Sequence, residues 1–325
     1  RGPTLGYRRR ARLSVREVPA KGRVLVGFRE PNGRYVADLD HCPVLDPRVG
    51  QQLAALAEML GGLSVAAEIP QVEVACGDDA AALVIRHLAP MTDADLDRLR
   101  TFQAESGLRV LLQPGAEDSV HAFDDGPLEL QYRLPEHGVA FTFLPTDFVQ
   151  VNPAINQVLV TRALDLLDPG PDERVLDLFC GIGNFSLPLA RRAGSVTGLE
   201  GDAALVERAR GNARRNALDN ARFEACDLYT DPAGAAAWAE PWDAVLLDPP
   251  RTGAEQVLPM VAASGAQRVL YVSCHPDSLA RDAALLVSQH GFRLAGASVV
   301  DMFPHTAHME SIALFDRAAA QPVEQ

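Results

Sequence analysis

Alternating strands and helices in the second half of the chain restrict the fold more than any other feature. From Asp147 onward, short apolar runs with strand character are separated by amphipathic segments, with a strand about every 20 to 30 residues. Parallel strands need such helical crossovers, whereas hairpins do not. We therefore predict an α/β domain built on a parallel sheet. Its seven predicted strands are Arg174–Phe179, Ser195–Leu199, Ala221–Ala225, Ala244–Leu247, Arg268–Ser273, Phe292–Val299 and Ser311–Phe315.

The first part of the chain has a different pattern, in which short alternating strands are mixed with two helical stretches. A length of 325 residues accommodates two domains. We predict a smaller α+β domain over residues 1–146, followed by the α/β domain over residues 147–325. The predicted elements of the smaller domain are strands Arg12–Val18, Arg23–Phe28, Gln71–Cys76 and Ala82–His87 and helices Pro47–Leu60 and Asp93–Ser106. In the α/β domain, a helix is also predicted at the alanine-rich Ala233–Ala239.

Composition limits the function classes. Thirty basic against 43 acidic side chains give a formal charge of −13, which argues against binding nucleic acid or membrane by bulk attraction alone. Five cysteines without a C-x-x-C pair indicate a reducing compartment, and no apolar run is long enough for a membrane span. We expect a soluble, cytoplasmic monomer. Because the chain opens on strand-like sequence at Arg1, we also expect a preceding segment.

A glycine-rich turn follows the first strand of the α/β domain, in the run Val175-Leu176-Asp177-Leu178-Phe179-Cys180-Gly181-Ile182-Gly183-Asn184-Phe185. Glycine lets the backbone approach a ligand closely. Ser186 stands where a dinucleotide-binding turn has its third glycine, which disfavours a pyrophosphate ligand. Glu200, Asp227 and Asp248 end the next three strands. A glycine turn with three strand-end acids predicts a pocket for adenosine and a cationic sulfonium.

The block Asp177–Phe185, taken with Gly198-Leu199-Glu200, resembles the first two motifs of the class I S-adenosylmethionine-dependent methyltransferases. The resemblance implies a Rossmann-like sheet of seven strands. It also implies that the cofactor is contacted by Phe179, Asn184, Glu200, Asp227 and Asp248.

The reacting centre is predicted from three segments that follow strands. Asp248-Pro249-Pro250-Arg251 resembles the amino-group methyltransferases, but Arg251 replaces their stacking aromatic residue and also the cysteine of the RNA cytosine-5 enzymes. Cys274 lies between the fifth strand and a helix, where the helix N-terminus and any nearby cation are expected to lower its pKa. Glu310 precedes the last strand, where apolar Phe303 and Met309 are expected to raise its pKa.

A thiol and a carboxyl suit methylation of uracil carbon 5, which needs a thiolate at carbon 6 and a base for the carbon 5 proton. Together with the segment Phe148–Asn156, these blocks resemble the RNA uracil-5-methyltransferase family along the whole second domain. The resemblance implies that Cys274 is the nucleophile, Glu310 the base and Gln150 a contact of substrate or cofactor. The pair His305 and His308 has no third ligand, so we predict no metal there.

The first domain resembles the branch of this family that acts on bacterial 23S ribosomal RNA. The residues that carry this resemblance are Gly6–Leu13 and His41-Cys42-Pro43-Val44-Leu45. The resemblance implies a four-cysteine, four-iron cluster, for which Cys42 would be the last ligand, although the three earlier ligands have no counterpart in this chain. The alternatives are a transfer-RNA methyltransferase of the same family and a non-catalytic RNA-binding assembly factor, which would have no chemical need for Cys274 and Glu310.

Two sets of side chains are candidates for RNA contact. A short arginine-rich run could meet phosphates despite the negative net charge, or it could be a solvated strand edge. A base extruded from folded RNA needs an aromatic or arginine surface to receive it. The phosphate candidates are Arg1, Arg8, Arg9, Arg10 and Arg12, and the base-receiving candidates are Phe148, Phe303 and Arg251.

Overall fold

A computed structural model describes residues 2–30, 33 and 35–317. The chain divides into two compact units: the first combines Gly2–Tyr132 with Thr142–Ala154, and the second combines Arg133–Phe141 with the residues from Ile155 to Arg317. The sequence predicts a single domain change after residue 146. In the structure the chain instead passes between the units at three places, after Tyr132, after Phe141 and after Ala154.

The N-terminal unit is built on a six-stranded sheet with the order β2-β1-β3-β4-β5-β6, in which only the β4–β5 pair is parallel. Its elements, in chain order, are β1 Arg10–Val18, β2 Arg23–Gly27, α1 Pro47–Gly50, α2 Leu53–Gly61, β3 Gln71–Cys76, β4 Ala81–Arg86, α3 Asp93–Ser106, β5 Arg109–Gln113 and β6 His121–Ala122. The predicted hairpin, strand pair and second helix are confirmed.

The predicted helix Pro47–Leu60 is interrupted. The structure has α1 and α2 with a turn between them at Gln51 and Gln52. The side-chain amide of Gln52 donates to the Arg48 carbonyl at 2.8 Å. A continuous helix would give that carbonyl to the backbone N–H of Gln52, so the side chain competes with helix propagation.

The C-terminal unit contains a mixed seven-stranded sheet. A separate two-stranded sheet pairs β7 Leu130–Leu134 with β8 Val139–Phe143, and each of these strands is divided between the two units. The further elements are α4 Pro153–Leu167, β9 Arg174–Leu178, α5 Ser186–Ala190, β10 Ser195–Glu200, α6 Ala203–Arg215, β11 Ala221–Ala225, β12 Ala244–Leu247, α7 Leu258–Ala263, β13 Arg268–Ser273, α8 Pro276–Ser288, β14 Phe292–Val300 and β15 Glu310–Arg317. All seven predicted strands are present.

The order of the strands in this sheet indicates where a ligand would bind. The order is β11-β10-β9-β12-β13-β15-β14, and β15 runs antiparallel between β13 and β14, whereas β9 to β13 pair in parallel as the crossover pattern predicted. β9 lies between β10 and β12, so the strand order reverses beside it. In α/β sheets, ligands bind outside the carboxyl ends of the strands at such a reversal. The four residues of β12, the middle strand, are all buried, so the centre of the sheet lies in the core.

The alanine-rich segment is not the predicted α-helix. It forms two short 3₁₀ turns, Pro232–Gly234 and Ala236–Ala239. The Glu224 carboxylate accepts hydrogen bonds from the backbone N–H groups of Ala236 and Ala237, and the Trp238 indole donates to the Pro232 carbonyl at 2.6 Å. These side chains hold the backbone in separate turns, so local helix propensity is overridden by tertiary contacts.

Candidate active site

The glycine-rich turn after β9 is folded tightly against β10. Gly181 and Gly183 have φ of +54° and +93°, and Phe179 has φ of +64°. Residues other than glycine rarely adopt a positive φ. A Cβ on Gly198 of β10 would lie 2.7 Å from the Cys180 sulfur, so only glycine fits there. A Cβ on Gly181 would meet no atom within 4 Å. The turn is therefore packed on one side and open on the other.

Glu200 joins the end of β10 to this turn. Its Oε2 accepts the Gly181 N–H at 3.0 Å, and its Oε1 accepts the Asp202 N–H, also at 3.0 Å. An ionised carboxylate has about four acceptor positions, so each oxygen keeps one. The orientation of Glu200 is thus fixed by the backbone, and it can still accept hydrogen bonds from two neighbouring ribose hydroxyls.

An aromatic pair lines the region beside the turn. The Phe179 and Tyr229 rings are 5.6 Å apart at an interplanar angle of 45°. The Tyr229 hydroxyl donates to the Gly253 carbonyl at 2.9 Å, which connects this pair to the segment after β12. Tyr229 was not among the predicted contacts. Its only signal is its position two residues after the strand-end acid Asp227.

Two of the predicted cofactor contacts are engaged within the protein. Asn184 and Asn156 of α4 exchange two side-chain amide hydrogen bonds, at 2.9 and 3.0 Å. The exposed Asp227 carboxylate accepts hydrogen bonds from the Thr230 hydroxyl and from the backbone of Thr230 and Tyr229, and these bonds lower its pKa. Gln150 lies in the other unit, on Thr142–Ala154. The roles of these residues at the cofactor stay predictions.

Asp177 of β9 is a fully buried carboxyl. Ser186 donates its hydroxyl to Asp177 Oδ2 at 2.5 Å, whereas Asp177 Oδ1 has no hydrogen-bond partner among the described residues. Burial is the main cause that raises the pKa of Asp177 to about 7; the charges of Asp248 and Glu200 act in the same direction, and the Ser186 hydrogen bond acts against them. A cationic sulfonium ligand would relieve this repulsion, so these carboxyls suit the predicted cofactor.

Cys274, Glu310 and Asp248 lie together at the ends of three neighbouring strands. Cys274 directly follows β13, Asp248 directly follows β12, and Glu310 opens β15. Ser273 pairs with Ser311, so the next residues in the register are Cys274 and Glu310. Strand pairing thus brings together residues that are far apart in sequence.

The two carboxyls of this centre are difficult to ionise. Glu310 is 3 % exposed, and burial raises its pKa to about 7. Burial also raises the pKa of Asp248 well above its usual range, and the charge of Glu310 adds to that effect. The predicted direction for Glu310 is confirmed. Met309 is 47 % exposed and adds little to that burial.

The predicted lowering of the Cys274 pKa is wrong. Burial raises the pKa of the Cys274 thiol, and the charges of Glu310 and Asp248 raise it further. The positive charge of Arg251 acts in the opposite direction but does not outweigh them. Sequence position at a helix N-terminus did not indicate the two carboxyls, because they reach the thiol only through strand pairing.

Two of the base-receiving candidates, Arg251 and Phe303, share one cluster. The Arg251 guanidinium donates to His308 Nδ1 at 3.1 Å, and the Phe303 ring meets the His308 ring edge-on with a centroid distance of 6.0 Å. The third candidate, Phe148, belongs to the other unit and is 66 % exposed.

Most of the predicted arginine track is paired with acids. Arg9 contacts Asp78 at 2.6 Å, and both Arg10 and Arg12 contact Glu73. Arg8 donates to the Arg10 carbonyl. Arg1 lies outside the described residues. These ion pairs favour the interpretation as a structural strand face over that of a phosphate-binding track.

The described residues do not offer a ligand set for an iron–sulfur cluster. Cys42 is 8 % exposed and lies in the apolar core of the N-terminal unit, where its backbone N–H donates to the Gly50 carbonyl. A four-iron cluster needs four cysteine thiolates. In the described ranges, no group of three or more His, Cys, Asp or Glu side chains is placed to hold a metal ion.

Comparison with known proteins shows the family. A methyltransferase domain model matches residues 169–264, and the tRNA (uracil-5-)-methyltransferase model matches residues 239–318. The chain is 57 % identical over 325 aligned residues to the 23S rRNA (uracil(1939)-C(5))-methyltransferase RlmD of Alkalilimnicola ehrlichii, covering 98 % of this chain and 72 % of that protein. The protein of the same name from Xanthomonas oryzae pv. oryzae is 51 % identical, with 97 % and 71 % covered. The chain belongs to the RlmD branch of the RNA uracil-5-methyltransferase family.

As a member of the RlmD branch, the chain is an S-adenosylmethionine-dependent RNA uracil-5-methyltransferase. Its fold is similar to that of the Pyrococcus abyssi tRNA (uracil-54, C5)-methyltransferase in complex with S-adenosyl-L-homocysteine, with a TM-score of 0.75 at 22 % identity, covering 96 % of this chain and 76 % of that one. The predicted class I methyltransferase fold is confirmed. In the described part of this RlmD-family chain, no helix has the length and apolar character needed to cross a bilayer.

Proposed function

We propose that this enzyme methylates carbon 5 of a uridine in 23S ribosomal RNA through a covalent adduct between Cys274 and uracil carbon 6. The observation that carries the proposal is the meeting of Cys274, Glu310 and Asp248 at three neighbouring strand ends. The choice of RNA rests on the names of relatives that are 57 % and 51 % identical.

Cys274 acts first. Because burial and two carboxyls raise the pKa of its thiol, Cys274 rests as the thiol at neutral pH and reacts after its proton has passed to water. The thiolate adds to uracil carbon 6, and the electron pair of the double bond moves toward carbon 5 and the neighbouring carbonyl. Bound S-adenosylmethionine supplies an electrophilic methyl group for carbon 5.

Glu310 completes the reaction. With a pKa of about 7, its carboxyl is substantially ionised near neutrality and is basic enough to accept a proton. It removes the proton from carbon 5, the carbon 5–carbon 6 double bond re-forms, and the Cys274 sulfur leaves as the thiolate. The candidates to receive the extruded base are Phe148, Phe303 and Arg251, each of which is an aromatic or arginine side chain.

The cofactor would be held by the open side of the glycine turn and by side chains around it. The proposed contacts are Gln150, Phe179, Asn184, Glu200, Asp227 and Asp248. Loss of a carboxyl that accepts hydrogen bonds from the ligand costs about 1.5 to 3 kcal/mol, so Glu200→Ala and Asp248→Ala should each weaken S-adenosylhomocysteine binding by about tenfold to a hundredfold in calorimetry. Glu207→Ala, which removes an exposed partner of Arg210, is the matched control. Unchanged binding in both site variants would contradict the placement of the pocket.

The covalent step is tested with variants of the two reacting groups. Cys274→Ala should abolish methyl transfer and also the denaturant-resistant adduct on 5-fluorouridine RNA, which has no carbon 5 proton to remove. Glu310→Gln should instead accumulate a methyl-labelled adduct on ordinary uridine RNA. Cys226→Ala, which removes a buried thiol at another strand end, should behave as wild type. Methylation by Cys274→Ala, or normal turnover by Glu310→Gln, would contradict the residue concerned.

The substrate is tested with separate unmodified RNAs. We expect methylation of 23S ribosomal RNA and none of transfer RNA, and the reverse result would favour the transfer-RNA branch. RNA binding without methyl transfer to either RNA would favour the assembly-factor alternative.

The iron–sulfur cluster on Cys42 stays a prediction, because it needs three further thiolates that the described residues do not place beside Cys42. Iron content and visible absorbance of protein prepared without oxygen are the test.

A further inference from the structure

Asp282 of α8 is a buried carboxyl that the proposed reaction does not use. It is 0 % exposed. Its Oδ2 accepts the Tyr271 hydroxyl at 2.6 Å and the Ala254 N–H at 2.7 Å, and its Oδ1 accepts Arg281 Nε at 2.8 Å. Asp282 therefore connects α8 and β13 to the segment that follows β12.

That segment is tied down at three successive residues. Arg281 Nη2 donates to the Thr252 carbonyl at 2.9 Å, the Tyr229 hydroxyl donates to the Gly253 carbonyl, and Ala254 donates to Asp282. Gly253 has φ of +84°, and a Cβ there would clash with Arg281 and Asp282. The backbone path directly after Arg251 is thus set by Tyr229 and by two side chains of α8, Arg281 and Asp282.

The residue immediately before these ties is Arg251, whose charge acts on the nucleophile. The negative charges of Glu310 and Asp248 and the positive charge of Arg251 all act on the Cys274 thiol. The effect of one charge on another falls with distance, so the benefit to the thiolate depends on where the Arg251 backbone is held.

We propose that Asp282 is a positioning residue, which together with Tyr271 and Arg281 holds Arg251 close enough to Cys274 to favour the thiolate. The proposal rests on the proposed reaction through Cys274. It also explains why a buried carboxylate with three donors lies on the helix that begins next to the nucleophile.

The test measures the Cys274 thiol itself, without RNA. The alkylation rate of Cys274 by iodoacetamide, followed by mass spectrometry across pH, gives its apparent pKa. In Asp282→Asn this pKa should rise by about half a unit or more, because a displaced Arg251 stabilises the thiolate less. Tyr271→Phe keeps the ring and removes one donor to Asp282, so it should raise the Cys274 pKa by a smaller amount. This variant replaces Asp282→Asn in the test if Asp282→Asn does not fold. Asp95→Asn, a buried carboxyl of the N-terminal unit, is the matched control and should give no shift.

A double-variant cycle separates positioning from general destabilisation. Arg251→Gln alone should raise the Cys274 pKa, and adding Asp282→Asn should raise it little further, because both act through the same charge. An unchanged profile in Asp282→Asn and Tyr271→Phe would overturn the proposal, and so would an equal Asp282→Asn shift without Arg251. Failure of the adduct assay would overturn the nucleophile role instead, since alkylation does not depend on it.

Discussion

Two buried carboxyls, Asp95 in the N-terminal unit and Glu310 at the reaction centre, are equally inaccessible at 3 % exposed, yet their pKa values move in opposite directions. Burial raises the pKa of both. At Asp95 that effect is outweighed by hydrogen bonds from Ser64 and Thr92, so its pKa falls well below the usual range. Among the described residues Glu310 has no such donors, and its pKa rises to about 7.

Hydrogen-bond donors to the carboxylate, rather than burial, therefore determine whether the pKa of a buried acid is lowered or raised. Asp95 caps α3 through a capping box with Thr92 and is a fixed negative charge. Glu310 is left able to take up and release a proton near neutrality. One carboxyl stabilises the fold, and the other is available for chemistry.

The largest expected effect is on turnover. Glu310→Gln should slow release of methylated product by about 10²- to 10⁴-fold, because a positioned base contributes that much to proton transfer. Asp95→Asn, measured beside it, should leave turnover per folded molecule unchanged. Rapid-quench kinetics with methyl-labelled cofactor give the turnover rate of each variant. An equal loss of turnover in the two variants would contradict the distinction between the two carboxyls.

A second effect concerns the free energy of unfolding, which we expect Asp95→Asn to lower and Glu310→Gln to raise. Asp95→Asn places an amide where Ser64 and Thr92 donate, and it should lower the free energy of unfolding by about 2 to 3 kcal/mol. Glu310→Gln removes a buried charge without donors and should raise stability at pH 8 by about 1 to 2 kcal/mol. Urea unfolding of the three proteins measures both, and a loss of stability in Glu310→Gln at pH 8 would be the contrary result.

The pH dependence of these contributions should also have opposite signs. Because the folded pKa of Glu310 lies above its ordinary value of 4.5, its contribution is fully present at low pH and is lost as pH rises through about 7. The folded pKa of Asp95 lies below its ordinary value of 3.8, so its contribution is present above that value and is lost as pH falls below it. Melting curves of wild type and each variant from pH 3 to pH 8 separate the two.

The smallest effect concerns the cofactor's charge. Asp177 and Glu310, each with a pKa of about 7, should ionise more readily beside a sulfonium. S-adenosylmethionine affinity should therefore rise by about threefold to tenfold from pH 6 to pH 8, whereas S-adenosylhomocysteine, which has a neutral sulfur, should change less. Calorimetry at three pH values compares the ligands, and parallel profiles would show that these carboxyls do not respond to the sulfonium.

Much of the secondary structure of the C-terminal unit, and the candidates for its reacting side chains, could be predicted from residues that are close together in the chain. Apolar runs separated by crossovers predicted all seven strands, and the blocks around Gly181, Asp248, Cys274 and Glu310 carried the family resemblance. These features are local, because periodicity, turns and residue type are read within a few positions. The Thr92 cap of α3 was readable for the same reason.

The electrostatics of the site, by contrast, depend on contacts that form only in the folded protein. The sequence predicted a lowered Cys274 pKa, but the fold buries the thiol, which raises its pKa, and pairing of β15 with β13 places Glu310 beside it, which raises the pKa further. Arg9 faces Asp78, although 69 positions separate them. A charge acts through space on whatever the fold brings near it, and local sequence does not contain that distance. The chemistry of each group was therefore set by strand order and register, after residue type had supplied the candidates.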